Sequence, residues 1–255
     1  MSDGLEPSLA RFYAELAPLL FSEASVAQIE ERLGPSTSGA DNLDFYRELV
    51  GRNFGRILRD LFPAVHQVCA REHPELWPDL VAGYAASWAA RAQVGAEPRD
   101  PNRWGVGFAD YLAARRAEHS SEAGAYSALL EELADYQMCR YLASAAAERP
   151  TSSPDGFEER VFVRGYTHPL PRFVAKLDRD PSAPLPEPRP TTVIVYRTLT
   201  RPWRVLTHAP SLAELAALAR REGVDVPPAF AALATDQVDR GLAKLVELGV
   251  LTPAG

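Results

Sequence analysis

His66, Cys69 and His73 are the residues of this chain whose types and spacing come nearest to chemistry of their own. At i, i+3 and i+7 they share one helical face, where two imidazoles and a thiolate begin a zinc ligand set. The set stops at three. No fourth ligand lies nearby, His73 directly precedes Pro74, where a helix ends, and Cys69 continues an apolar row. A closed structural site takes four ligands, so Cys69 reads instead as a small buried hydrophobe. Cys139 reads the same way, and two cysteines inside helical patterns make no disulfide framework. His119, His168 and His208 have no carboxylate or nucleophile at motif spacing, and there is no GxGxxG, P-loop or HExxH. Gly105 and Gly107 fit the start of a helix better than a phosphate loop. No catalytic residue, metal ligand or cofactor is expected in this chain.

Two groups of residues point to binding. The run TTVIVYR, residues 191–197, is β-branched and aromatic and of strand length. An exposed strand edge offers unpaired N–H and C=O groups to which an extended peptide can add. Val193, Ile194, Val195, Tyr196 and Arg197 are the candidate edge; a strand that merely covers helices is the equally open alternative. Arg52, Arg56 and Arg59, at i, i+4 and i+7, form a narrow basic stripe. The stripe suits an acidic partner surface or stands as a solvated face, because exposed ion pairs contribute little.

The element that carries this stripe dominates the N-terminal part. Between residues 45 and 69, Tyr46, Val50, Phe54, Ile57, Leu61, Val65 and Val68 recur in steps of four or three, a helical period. Phe45, Leu49, Leu58 and Phe62 widen that face, and the whole of it is expected to be buried. Pro63 predicts a break or kink, followed by a short helix from Ala64. A helical pair over 8–33 precedes it, and further helices are predicted over Leu76 to Trp88, from Trp104, and from Tyr126 to Ala147. After ERPTSSPDG (148–156), seven prolines between positions 169 and 190 predict a stiff connector. Beyond the 191–197 strand, Ser211 and Glu214 have capping-box spacing ahead of one helix, a second runs from about Thr235 to Leu248, and Val250–Thr252 is expected to return as a strand.

The expected fold is therefore mainly α, α+β overall, a helical bundle followed by a small winged-helix-like domain with a short β-sheet. The divisions are 1–40, an N-terminal helical extension; 41–150, the bundle; 151–190, the proline-rich connector; and 191–255, the winged-helix-like domain.

Composition narrows the partners. The chain has 255 residues, 46% hydrophobic and 24% charged, with a formal charge of -7 and a pI near 5.3. A phosphate-binding domain is usually basic. The second helix of the helix-turn-helix pattern carries Asp236, Asp239 and Glu247 against Arg240 and Lys244. Arg197, Arg201, Arg204, Arg220 and Arg221 leave a weak basic patch in the module, but nucleic acid is not the expected partner. No secretory signal and no transmembrane span is visible, and a cytoplasmic location is expected.

The runs FYRELVGRNFGRILRDLFPAVHQV, NRWGVGFADYL, ALLEELADYQMCRYLASA, RGYTHPL and VIVYR, in that order, resemble the DNA-binding-domain family that includes the methanobactin-biosynthesis partner subunit of multinuclear non-haem iron oxygenases. The resemblance covers about residues 43 to 255. It implies a non-catalytic accessory subunit in the biosynthesis of a ribosomally made peptide natural product. The helical domain would dock on the iron oxygenase, and the C-terminal part would recruit the leader of a precursor peptide for oxidative modification of cysteine. It implies that iron belongs to the partner, and that Val193, Ile194, Val195 and Tyr196 form the strand that pairs with the leader. The alternative is a DNA-binding transcriptional regulator with a helical sensor domain.

Overall fold

Pro63 divides the long apolar stretch as its chemistry demands. α2 (Ala40–Leu61) stops before Phe62, and α3 (Pro63–Glu72) starts on the proline, whose missing N–H falls where a helix has no acceptor for it. The computed structural model describes residues 26–34, 40–92, 103–118, 127–146, 156–223, 230 and 232–252. Within them the chain is mainly helical with one small antiparallel sheet, and it divides into two compact units, Met1–Ala134 and Asp135–Gly255. The expected pair over 8–33 lies outside the described residues as far as its first member; its second is α1 (Val26–Leu33).

The first unit also contains α4 (Leu76–Ala92), α5 (Phe108–Glu118) and the start of α6 (Ala128–Ala145). α2 and α3 pack on each other and both pack on α4. The seam is aromatic: Phe54 stacks on Trp104 at 5.4 Å, Phe62 meets Phe108 at 4.8 Å, and Tyr84 meets Phe108 at 5.0 Å between centroids. Such pairs add directional packing to the apolar area they remove from water. Tyr84 donates its hydroxyl to the Trp104 carbonyl at 2.6 Å, and a Cβ on Gly105 would stand 2.8 Å from the Phe62 ring.

The buried face of α2 is shorter than its periodicity predicts. Phe54 and Leu58 are fully buried, yet Phe45, Tyr46 and Leu49 are 60%, 55% and 41% exposed. Periodicity marks the apolar side of a helix, not how far its neighbours extend along it.

The second unit follows in the order α7 (Phe157–Arg160), β1 (Val161–Tyr166), α8 (Leu170–Leu177), β2 (Thr191–Arg197), β3 (Val205–His208), α9 (Leu212–Glu222) and α10 (Thr235–Glu247). Thus the stretch 151–190, read from composition as a connector, carries α7, β1 and α8, and its longest described run without helix, strand or turn is 183–190. The sheet order is β1-β2-β3, with Val161 opposite Tyr196 and Tyr196 opposite Leu206. Val161, Ile194 and Tyr196 join Ala217, Leu218, Leu245, Val250 and Leu251 in one core. α9 and α10 pack closely because Gly241 has no side chain: a Cβ there would lie 2.5 Å from the Ala213 carbonyl oxygen.

Val250–Thr252 does not form the expected strand. The Val250 and Leu251 N–H groups donate to the Leu245 carbonyl, which turns the chain back onto α10 and buries both side chains. Arg160, 2% exposed, holds this turn. Its Nη1 donates to the carbonyls of Arg197 (3.1 Å) and Gly249 (3.3 Å), and its Nη2 to that of Val250 (2.7 Å).

Candidate functional site

The edge expected at Val193, Ile194, Val195, Tyr196 and Arg197 is occupied. β2 is the central strand, paired with β1 from Thr191 to Tyr196 and with β3 from Ile194 to Arg197, and all five side chains are buried. Their backbone groups are committed to neighbouring strands, so an added peptide has no place there. The sheet edges lie on β1 and β3.

The two edges differ. On β1, Tyr166 donates its hydroxyl to Asp135 at 2.7 Å, and Arg164 Nε lies 3.3 Å from the same carboxylate. Burial, reinforced by the Asp135 charge, raises the Tyr166 phenol and pushes the Cys139 thiol up to about 12. Arg164 Nη1 also donates to the Val163 carbonyl at 3.1 Å, laying a cation along the strand edge. Charged side chains placed so discourage further pairing.

β3 is anchored on both faces of the sheet, and among the described residues it has no such cover. The Thr207 hydroxyl lies 3.1 Å from the Tyr136 hydroxyl on one face, and His208 Nε2 lies 3.0 Å from Glu214 Oε2 on the other. Adjacent strand residues point to opposite faces, so this pair of contacts fixes the register of β3. Leu206 remains 40% exposed. Among the described residues, no backbone hydrogen bond joins the outer side of Val205–His208 to another element.

Two features flank this edge. At its start is the β2–β3 hairpin, closed by the Thr198 N–H donating to the Arg204 carbonyl (2.9 Å) and the Arg204 N–H donating to Thr198 Oγ1 (3.0 Å). The guanidinium groups of Arg197 and Arg201 lie over the exposed Trp203 ring, 4.8 and 4.6 Å from its centroid. At the other end stands the N-terminus of α9, where the capping box predicted from spacing is formed: Glu214 N–H donates to Ser211 Oγ at 3.3 Å, and Ser211 N–H donates to Glu214 Oε2 at 2.6 Å. Burial would raise the Glu214 carboxyl; the Ser211 N–H and then His208 outweigh it and hold the group below the usual carboxylate range. A cleft of about 350 Å³ opens here between α9 and α10, lined by Ser211, Glu214, Gln237, Arg240 and Lys244 among others.

The sequence reading missed β3 because VLTH is short and no two-residue turn signature precedes it. The available signal was Leu206 and His208 alternating with Val205 and Thr207 just after a polar loop.

The other singled-out residues lie in the first unit. Arg52, Arg56 and Arg59 are exposed on α2, where Arg52 pairs with Glu48, and the same helical stripe continues through exposed Leu49 and Phe45. Of the three spaced like zinc ligands, Cys69 is buried with its thiol pushed up to about 12 by burial, His66 sits edge-on to Trp77 at 5.1 Å, and His73 is the exposed residue that ends α3. Among the described residues no three His, Cys, Asp or Glu side chains are grouped to hold a metal, and no helix is long and apolar enough to cross a membrane. Comparison of the chain with protein-family models, with curated proteins and with solved structures finds no match.

Proposed function

We propose that this chain is a substrate-recognition subunit that takes up an extended precursor peptide along the outer side of β3 and presents it to a multinuclear non-haem iron oxygenase. The observation that carries this reading is the open edge of β3, set between an aromatic, basic hairpin and the cleft beside Ser211 and Glu214. Backbone pairing supplies affinity in such an arrangement, and the alternate side chains of the peptide, one row facing Leu206, supply selectivity. Val193–Arg197 then back the binding strand as its β2 neighbour. The hairpin and the closely packed α9–α10 pair are read as a winged-helix-like module turned to peptide binding.

The iron and the oxidation of a precursor cysteine belong to the partner in this reading, which rests on the family resemblance of the sequence. Arg52, Arg56 and Arg59 offer the docking stripe for an acidic surface of that partner, with Leu49 and Phe45 extending it as an apolar end. DNA binding is the weaker reading: on α10, Arg240 and Lys244 are already paired with Asp236 and Glu247.

Titration of the precursor's leader into the full chain, followed by hydrogen exchange, tests the proposal. Protection of residues 205–208, with affinity falling about tenfold in Leu206→Glu, is the expected result. Protection of 161–166 instead, or binding that ignores Leu206, would sink the β3 assignment. A chain that ignores the peptide and shifts duplex DNA with strong salt dependence is a regulator.

A further inference from the structure

β3 turns only part of its backbone toward an added strand, and the register of the sheet says which part. The Thr198 N–H donates to the Arg204 carbonyl. These two residues continue the β2–β3 register one step beyond Arg197 and Val205, so they form a hydrogen-bonded pair. Such pairs alternate with non-hydrogen-bonded ones along an antiparallel ladder. Leu206 and His208 therefore commit their N–H and C=O groups to Tyr196 and Ile194, and Val205 and Thr207 turn theirs outward. Among the described residues no backbone hydrogen bond fills those outward groups. The same alternation, carried across β2, turns the Val163 groups of β1 outward, and there the Arg164 guanidinium already takes the carbonyl.

The side chains add a second condition. Val161, Tyr196 and Leu206 stand opposite one another across the three strands. They form an apolar row on the face whose core includes α9 and α10. Exposure along the row is 6%, 1% and 40%, so it is closed at its β1 end and open at Leu206.

We infer that the β3 edge takes an antiparallel peptide strand centred on one apolar residue set opposite Leu206, whose two neighbours each carry a free N–H and pair with Val205 and Thr207. This rests on the strand-addition reading above and names the substrate class of that site. Each neighbour exchanges both of its backbone hydrogen bonds with its partner on β3, which fills all the outward groups. Proline or an N-methylated residue at either position lacks the donor. The central residue turns its own N–H and C=O away from β3, so the demand on it falls on the side chain. It makes a non-hydrogen-bonded pair with Leu206, the closer of the two pair geometries, and an aliphatic or aromatic side chain there covers Leu206 and extends the row. Antiparallel polarity matches both existing ladders. In a parallel strand the residue opposite Leu206 would itself bond to Val205 and Thr207, so polarity decides whether the backbone and side-chain demands fall on the same residue.

The test uses the full chain and a threonine heptapeptide with one isoleucine at its centre, which fixes the register, with amide exchange read residue by residue by NMR. In the free chain the Val205 and Thr207 amides should exchange quickly and those of Leu206 and His208 slowly; the peptide should slow the first pair. N-methylation of either neighbour of the isoleucine is expected to weaken binding about tenfold, and replacing the isoleucine by serine to do the same. N-methylation of the isoleucine itself should change binding by less than about twofold. Leu206→Lys should turn the central preference from isoleucine to glutamate, an opposite-charge pair across the strands. Binding lost on methylating the isoleucine and kept on methylating its neighbours means a parallel strand, and overturns the inference while strand addition stands. Equal binding with serine or isoleucine at the centre does the same. Val205 and Thr207 amides already slow in the free chain, or failure of every peptide to bind, overturns both the inference and the strand-addition reading.

Discussion

Arg160 illustrates how much one buried side chain settles. Its guanidinium satisfies three carbonyls from two places in the chain, that of Arg197 and those of the adjacent Gly249 and Val250. In Arg160→Met the apolar stem is kept and the donors are lost, leaving buried acceptors without partners. The expected cost is about 2–4 kcal/mol in urea unfolding of the full chain. Glu214 makes a different prediction. Its folded carboxyl lies below the ordinary value of 4.5, so between the two values the unfolded chain binds the extra proton and stability decreases as the pH is lowered. This contribution is complete above the ordinary value and is lost as pH drops through the folded one. Glu214→Gln can still cap the helix but does not titrate. Unfolding free energies measured from about pH 5 to about pH 3 should therefore fall more steeply in the parent chain than in the variant.

At the scale of elements, two glycines separate packing need from conformational habit. Gly241 lets α10 lie against the backbone of α9, with the Ala213 carbonyl oxygen 2.5 Å and the Glu214 nitrogen 2.8 Å from where a Cβ would be. Backbone atoms there cannot give way as a flexible side-chain tip could. Gly241→Ala should cost about 1–3 kcal/mol despite alanine's better helix propensity, because overpacking outweighs it. Gly165, in β1, has open space around the same position. Gly165→Ala should leave the sheet unchanged or stabilise it by about 0.5 kcal/mol, since it only restricts the unfolded chain. Urea midpoints of the two variants decide the matter: a tolerated Gly241→Ala would mean that α9 and α10 can move apart to admit a methyl group.

At the scale of the molecule, the two compact units differ in core and in charge. Through Ala134 there are 12 basic against 20 acidic side chains, and from Asp135 on there are 15 against 14, so -8 and +1 compose the net -7. The first core is aromatic, around Phe54, Tyr84 and Phe108; the second is built on the sheet, around Val161, Ile194 and Leu245. Separate cores open as separate cooperative units. Leu58→Ala, at a fully buried site, should cost about 2–5 kcal/mol and speed hydrogen exchange in α2–α5 while β1–β3 keep their protection. Arg160→Met should do the reverse. Loss of protection everywhere in both variants would mean a single cooperative unit.

Much of this was legible in the residues. The break at Pro63, the capping box at Ser211 and Glu214, the strand over 191–197 and the helix over 235–247 depend on chemistry within a few positions of chain, so local sequence determined them. The span over which α2 is buried, the turn at Val250 and the rank of β2 within the sheet were not legible. Each depends on residues far apart in sequence meeting in space: Val161 beside Tyr196, Arg160 beside Val250, Tyr196 beside Leu206. Hydrophobic and β-branched character says that Val193–Arg197 forms a strand, and that character is the same for a central strand as for an edge. Only tertiary pairing decides which strand keeps an open side, and here it moved the candidate site from β2 to its neighbour β3.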